Sequence, residues 1–250
     1  MEDAGLRIHR TRSAVVEATR SIIDDAEENL SIALPASELS VFESSLRDAV
    51  DRGALVLLLI HGEPADGDGP YGDRATAVRV IERGMAPLLV TADVHHGLTG
   101  QFQVLTSPST ASRSQVTEFA NRNLAYNHFT MFLGNYWQMA TERYVAERST
   151  FPQTFSEFRF AVLEAALAMR DEVALTARAR VVPTDGGPET TVEGAVTNVR
   201  QNIVYPASSP SPAERSLTVV AGGESVTIGG LGATKETYEC FEVTLDRKKG

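Results

Sequence analysis

The chain has 250 residues, 42% of them hydrophobic, which suffices for one or two domains with real cores and argues against disorder. Acidic groups outnumber basic ones 33 to 23, and a formal charge of -10 repels a phosphate backbone, making this polypeptide by itself a poor binder of nucleic acid. Cys240 is the only cysteine, which excludes an intramolecular disulfide and a multi-cysteine zinc site and fits a reducing compartment.

Lys235, Lys248 and Lys249 are the only lysines, so arginine supplies nearly all the positive charge, as in a salt-adapted cytoplasm or a GC-rich genome. The most apolar run, Ala54 to Ile60, is far shorter than the roughly 20 residues a bilayer requires. Met1 to Arg12 lacks the apolar stretch of a signal peptide. These features together predict a soluble, cytoplasmic chain.

In chain order, Thr11 to Asn29 carries apolar residues at steps of three and four, a helix stripe. Leu30 to Leu34 reads as a buried strand, and Ser37 or Ser40 caps a helix ended by Gly53. Ala54 to Ile60 is a second strand, and this βαβ order implies a parallel sheet. His61 to Asp73 is a turn-rich loop, Ala75 to Arg83 a short helix, Pro87 to Ala92 and Gln101 to Leu105 further strands. Thr106 to Ser114 is a loop, and Val116 to Trp137 a long helical region broken near Asn127 or Gly134. After Phe151-Pro152, Thr154 or Ser156 caps a last helix reaching Met169. Beyond Asp171 the pattern turns to strands: Leu175 to Val182, Thr190 to Asn202, Ser216 to Val220, Ser225 to Ile228 and Tyr238 to Leu245. Gly and Pro sit between them, which predicts an antiparallel sandwich or barrel.

Common catalytic motifs are missing. The chain has no P-loop, no dinucleotide-binding glycine fingerprint and no Gly-x-Ser-x-Gly elbow. Asp93, His95 and His96 lie close enough in sequence to suggest a metal, but ligands crowded into one loop need a third partner, so a non-ligating loop is expected. His128 sits among Phe129 and Phe132 and reads as a packed histidine, while His9 and His61 have no acidic companion in view. Cys240, in a strand, reads as a core residue. Phe129, Phe132, Tyr136 and Trp137 read as core, with stacking of Trp137 or Tyr136 on a sugar ring as the alternative. Glu236 and Glu239 flank Tyr238, as a surface ladder or as paired carboxylates.

Gly229 to Tyr238 is the most distinctive segment. Three glycines in four residues free the backbone for close approach to a ligand, and Glu236, six residues after Gly230, can accept hydrogen bonds from hydroxyls. A plain turn or bulge fits the same pattern.

The order of a βαβ-rich half, a helix preceded by Phe151-Pro152-Gln153-Thr154-Phe155, and a β module resembles the C-terminal effector domain of archaeal TrmB-type sugar-responsive transcriptional regulators. Thr11 to Leu34, Phe155 to Arg170, Leu175 to Val181, Val199-Arg200-Gln201 and Ser216 to Val219 carry the similarity. It implies an α+β fold: a connector helix over 1–29, a phospholipase-D-like α/β domain over 30–173 and a smaller antiparallel sugar-binding β module over 174–250. It further implies a non-enzymatic, dimeric, sugar-sensing domain needing no cofactor or metal. DNA is contacted only through a winged helix, and about ten residues before the first helix are too few for one. The phospholipase signature His-x-Lys is absent, because no lysine precedes Lys235. The resemblance places the sugar on Gly230 and Glu236, with Arg215 where the family often has an asparagine. A hydrolase using Asp93, His95 or His128 and an interaction module without a ligand are the competing readings.

Overall fold

The computed structural model describes residues 5–62, 71–107, 114–147 and 149–248. Most of the turn-rich loop expected over 61–73 and of the loop over 106–114 lies outside these residues. The chain forms two compact units, Met1–Ala146 and Glu147–Gly250. The fold is α+β: the first unit holds an eight-stranded sheet and the second a closed barrel.

In the first unit, β1 (Arg7–His9) is followed by α1 (Arg12–Asp25), whose N-cap Thr11 accepts the Ala14 amide. Its stripe of Val15, Ala18, Ile22 and Ile23 is buried, as its spacing predicts. β2 (Asn29–Pro35), α2 (Leu39–Asp51) and β3 (Leu55–His61) form the expected parallel βαβ unit. A short 3₁₀ turn, Ala36–Glu38, leads into α2 without a side-chain cap, so neither Ser37 nor Ser40 caps it.

Three expectations are corrected here. Ala77–Ile81 is not helix but strand β4, parallel to β3 and fully enclosed apart from Val80. After β5 (Leu88–Ala92), the next strand is β6 (His96–Gly100), and Gln103–Thr106 forms a single helical turn, α3, where a strand was expected. Val116–Ala120 is strand β7, paired with β6, and helix begins only at α4 (Arg122–Met131). A wider π-helical turn over Phe132–Tyr136 contains the break expected near Gly134, before α5 (Trp137–Met139) and β8 (Thr141–Val145). The sheet order is β1-β7-β6-β5-β2-β3-β4-β8, with β2, β3 and β4 parallel and the remaining pairs antiparallel.

The second unit starts upstream of the boundary expected near 171–174. β9 (Gln153–Phe155) pairs with β14 (Tyr238–Arg247), and α6 (Phe158–Arg170) packs on β14 and on β11 (Thr190–Arg200). The last helix therefore belongs with the β module, because the barrel is the surface that buries its Ala161, Val162 and Ala165. Neither Thr154 nor Ser156 caps α6. Thr154 lies in β9, where its hydroxyl bonds that of Thr244 at 2.8 Å, and Glu157 precedes the helix without a side-chain cap.

The five strands read from the sequence are all present: β10 (Leu175–Pro183), β11, β12 (Ser216–Ala221), β13 (Glu224–Gly229) and β14. β10 pairs with both β11 and β14, and two parallel pairs between β13 and β14 close the barrel. Closure removes the open edges that a flat antiparallel sheet would expose.

Candidate functional site

One end of the barrel gathers the residues singled out by the sequence. The ladders β11–β12 and β12–β13 align Arg200, Ser216 and Gly229 across three strands. Gln201, Arg215 and Gly230 are the chain neighbours of these three residues, just beyond the ends of their strands. The pairing of Ser216 with Gly229 brings Arg215, one residue before Ser216, to the end of the strand that leads into the tandem glycines.

Beyond Gly229 the chain makes a tight turn in which the Ala233 amide donates to the Gly230 carbonyl at 3.0 Å. Gly232 occupies the left-handed region at φ +77°, which a glycine adopts without a Cβ penalty. Its amide donates to a Glu239 carboxylate oxygen at 2.7 Å. Thr227 and Thr237 exchange amide-to-hydroxyl bonds of 3.2 and 2.9 Å, and the Thr184 hydroxyl donates to the Glu236 carbonyl at 2.7 Å. The loop is therefore pinned on both sides.

Within it the half-buried Glu236 folds back over the glycines. A Cβ placed on Gly229 would lie 3.0 Å from both Cδ and Oε2 of Glu236, and 2.7 Å from the Ala233 Cβ. The carboxylate uses space that only glycine leaves open. Gly230 faces Phe158 at the start of α6, where an added Cβ would sit 3.3 Å from the Phe158 Cβ. Arg215 is half-buried and engaged within the fold, and Lys235 is exposed. Burial opposes charge on Glu214, but hydrogen bonds from Ser209 and Arg200 and the positive charges of Arg200 and Lys235 outweigh it and hold its pKa below the ordinary value.

Near the same end lies a hollow of about 220 Å³, with Ala166 and Met169 of α6 facing Asn198, Gln201, Val204 and Tyr205. The Gln201 side chain is committed to the loop: its amide donates to the Val204 and Pro206 carbonyls, and its oxygen accepts from Ile203 and Val204. Arg215, Gly230 and Glu236 do not line this hollow. A larger open groove, about 1090 Å³, runs between α1 and α2 in the first unit and has charged walls including Arg12, Glu17, Arg20 and Asp24.

The remaining candidates have structural occupations. Asp93 accepts the backbone amides of Glu27, Glu28 and Asn29 at 2.8 to 2.9 Å, joining α1 to β2, and the neighbouring His95 is exposed. Among the described residues no three His, Cys, Asp or Glu side chains form a metal-holding group. His9 does have an acidic companion, contrary to expectation: its Nε2 donates to Glu118 at 2.7 Å, and His96 Nε2 bonds the other oxygen at 3.0 Å. Burial opposes charge on Glu118, yet the two histidines outweigh it and lower its pKa. Nothing in the sequence signals this triad, because it depends on β1 and β6 flanking β7.

His128 packs against Phe119 at 4.8 Å, and burial lowers its pKa. Trp137 is fully buried, stacked on Phe132 at 5.4 Å and under the Arg79 guanidinium at 5.0 Å, so it is core and cannot stack on a sugar. Burial pushes the Cys240 thiol up to about 11, which keeps it protonated and inert as a nucleophile.

Two family models match the chain: the N-terminal subdomain of the effector-binding domain of the transcriptional regulator TrmB over residues 5–144, and the C-terminal subdomain of the TrmB/TrmBL1 effector-binding domain over residues 150–248. No curated protein matches. Among solved structures the chain is similar to TrmBL2, described as an archaeal chromatin protein with a novel mode of DNA binding. That match has 13% identity and a TM-score of 0.43, and covers 55% of this chain and 54% of TrmBL2. It is also similar to Nuc of Salmonella typhimurium, a phospholipase D family member, at 14% identity and a TM-score of 0.40, covering 57% of this chain and 99% of Nuc. NucT from Helicobacter pylori matches at 9% identity and a TM-score of 0.41, covering 55% of this chain and 98% of NucT.

Proposed function

This chain belongs to the TrmB effector-binding-domain family, and we propose that within it the chain is a non-enzymatic, cytoplasmic sugar sensor controlling transcription through a winged-helix DNA reader. The sugar is held at the barrel end by Gly230, Arg215 and Glu236. One observation supports the assignment: the β12–β13 ladder pairs Ser216, the chain neighbour of Arg215, with Gly229, the chain neighbour of Gly230, and the Glu236 carboxylate lies folded against Gly229. Backbone groups freed by the glycines and one acceptor-only carboxylate match the dense hydroxyls of a carbohydrate, and each unmatched buried group would cost about 1–3 kcal/mol. Sugar occupancy, by favouring one state of the regulator, changes its affinity for operator DNA, with the regulator acting as a homodimer.

Calorimetric titration with mono- and disaccharides tests the reading. Glu236→Ala should weaken the sugar that binds by about ten- to a hundredfold, the loss of hydrogen bonds to a charged group, with thermal unfolding unchanged. Unaltered affinity would remove the assignment of Glu236. Absence of binding by folded protein across the panel would remove the sensor reading.

A further inference from the structure

We propose that the groove between α1 and α2 is where a second copy of this chain docks, the two α1 helices packing antiparallel about a two-fold axis. This gives the homodimer proposed above its contact surface and owes nothing to the sugar. Its ground is the pattern of charges that α1 leaves exposed and unpaired along the groove.

Ser13, Glu17, Arg20 and Asp24 line the groove and are all exposed. Spaced by four, three and four residues, they form one stripe along the helix. Glu17 and Asp24 have no hydrogen-bond or ion-pair partner among the described residues. Arg20 donates one N–H to the Val41 carbonyl at 2.8 Å, and because that carbonyl is neutral, the positive charge stays unpaired. Arg12, bonded to Glu38 at 2.7 Å, is already neutralised and takes no part. The α2 wall opposite is Ser40, Val41 and Ser44, short enough for a helix to lie along it.

The stripe complements itself in one direction only. With two copies antiparallel and crossing between Ala18 and Thr19, Glu17 of each meets Arg20 of the other. Ser13, whose oxygen also lies 3.3 Å from the Thr11 hydroxyl, can donate to Asp24 of the other copy. One set of residues thus makes every contact twice, as an isologous interface requires. A parallel pair in register would set Glu17 on Glu17 and Arg20 on Arg20, like charge on like. In the antiparallel arrangement the two copies of α2 flank the central pair as in a four-helix bundle.

Exposed ion pairs contribute little each, so they select register and partner while the covered helix surface supplies affinity. The 14 residues of α1 extend about 21 Å, which gives a contact of the smallest class, under about 1,200 Å², and a weak, reversible dimer. A net charge of -10 on each copy opposes association. At about 0.15 M salt that repulsion is screened beyond about 8 Å, whereas touching pairs keep their attraction.

Sedimentation equilibrium of the full chain at about 0.15 M salt is the test. Wild type should pass from monomer to dimer between about 1 µM and about 1 mM. Glu17→Arg or Arg20→Glu alone should weaken association about tenfold or more, because each puts like charges in contact twice. An equimolar mixture of the two variants should associate again, to within about threefold of wild type, and the double variant Glu17→Arg/Arg20→Glu should do so by itself. That rescue separates a charge contact from damage to the fold. Wild type that stays monomeric throughout, single variants that dimerise like wild type, or a mixture that fails to associate would each overturn the proposal. No sugar enters these measurements, so such a result leaves the sensor reading standing. Dimerisation with no sugar bound in calorimetry would remove the sensor and keep this contact.

Discussion

His61 shows how much one side chain can tie to pH. It ends β3 at 1% exposure, edge-on to Phe102 at 5.7 Å, and neither ring nitrogen has a hydrogen-bond partner among the described residues. Burial penalises the imidazolium and lowers its pKa from 6.5 to about 4. Below pH 6.5 the unfolded chain takes up a proton that the native one refuses, so stability falls as pH drops and the loss is complete near pH 4. The full effect amounts to about 3 kcal/mol. Urea denaturation between pH 7 and pH 4 should show it, and His61→Phe should flatten the slope; an unchanged slope would assign the acid sensitivity elsewhere. Glu118 adds to the loss at still lower pH: its depressed pKa stabilises the native state above the ordinary carboxylate range, and this is lost as the carboxylate protonates and releases His9 and His96. The sequence shows these residue types. It does not show that one histidine is stranded while two others share a carboxylate, because those facts arise from strand neighbours remote in the chain.

At the scale of elements, legibility followed the number of faces a segment buries. The strands of the second unit, half-buried in a barrel wall, alternate as in Leu175–Pro183, and their pattern reveals both type and position. Ala77–Ile81 has the opposite character: flanked by strands on both sides and covered on both faces, it lacks alternation and reads as helix. Val116, Phe119 and Ala120 fit helical spacing by coincidence, and only pairing with β6 and β1 makes the segment a strand. The three-residue β1 has no periodicity to read. Gly194 in β11 offers a test of the barrel itself. A Cβ there would lie 2.0 Å from the Val220 carbonyl oxygen, where the β11–β12 ladder shifts register between Val196 and Asn198. Because the obstacle is backbone, Gly194→Ala must push β12 aside, and a destabilisation of about 1–3 kcal/mol is expected in chemical denaturation. Stability equal to wild type would mean that β12 yields freely at that point.

For the whole molecule, the two units make different predictions about where a ligand acts. A sugar held at the barrel end binds native chain only, so at a hundredfold excess over Kd it should stabilise by about 2.7 kcal/mol. Hydrogen exchange on the full chain should then slow over residues 228–239 and their partners in β12 and β14, while β2, β3 and β4 keep their rates. Protection confined to α1 and α2 would move the site to the groove between those helices. The sequence by itself determined the composition of both cores, the βαβ unit, the five barrel strands and the tandem glycines followed by an acid, since each is written in local periodicity or in a residue's own conformational range. Tertiary structure alone decided that α6 belongs with the barrel, that Ser216 pairs with Gly229, and that Glu236 lies over Gly229 instead of in solvent. Those are matters of register and closure, set by which strand edges pair across long stretches of chain, and no local pattern encodes them.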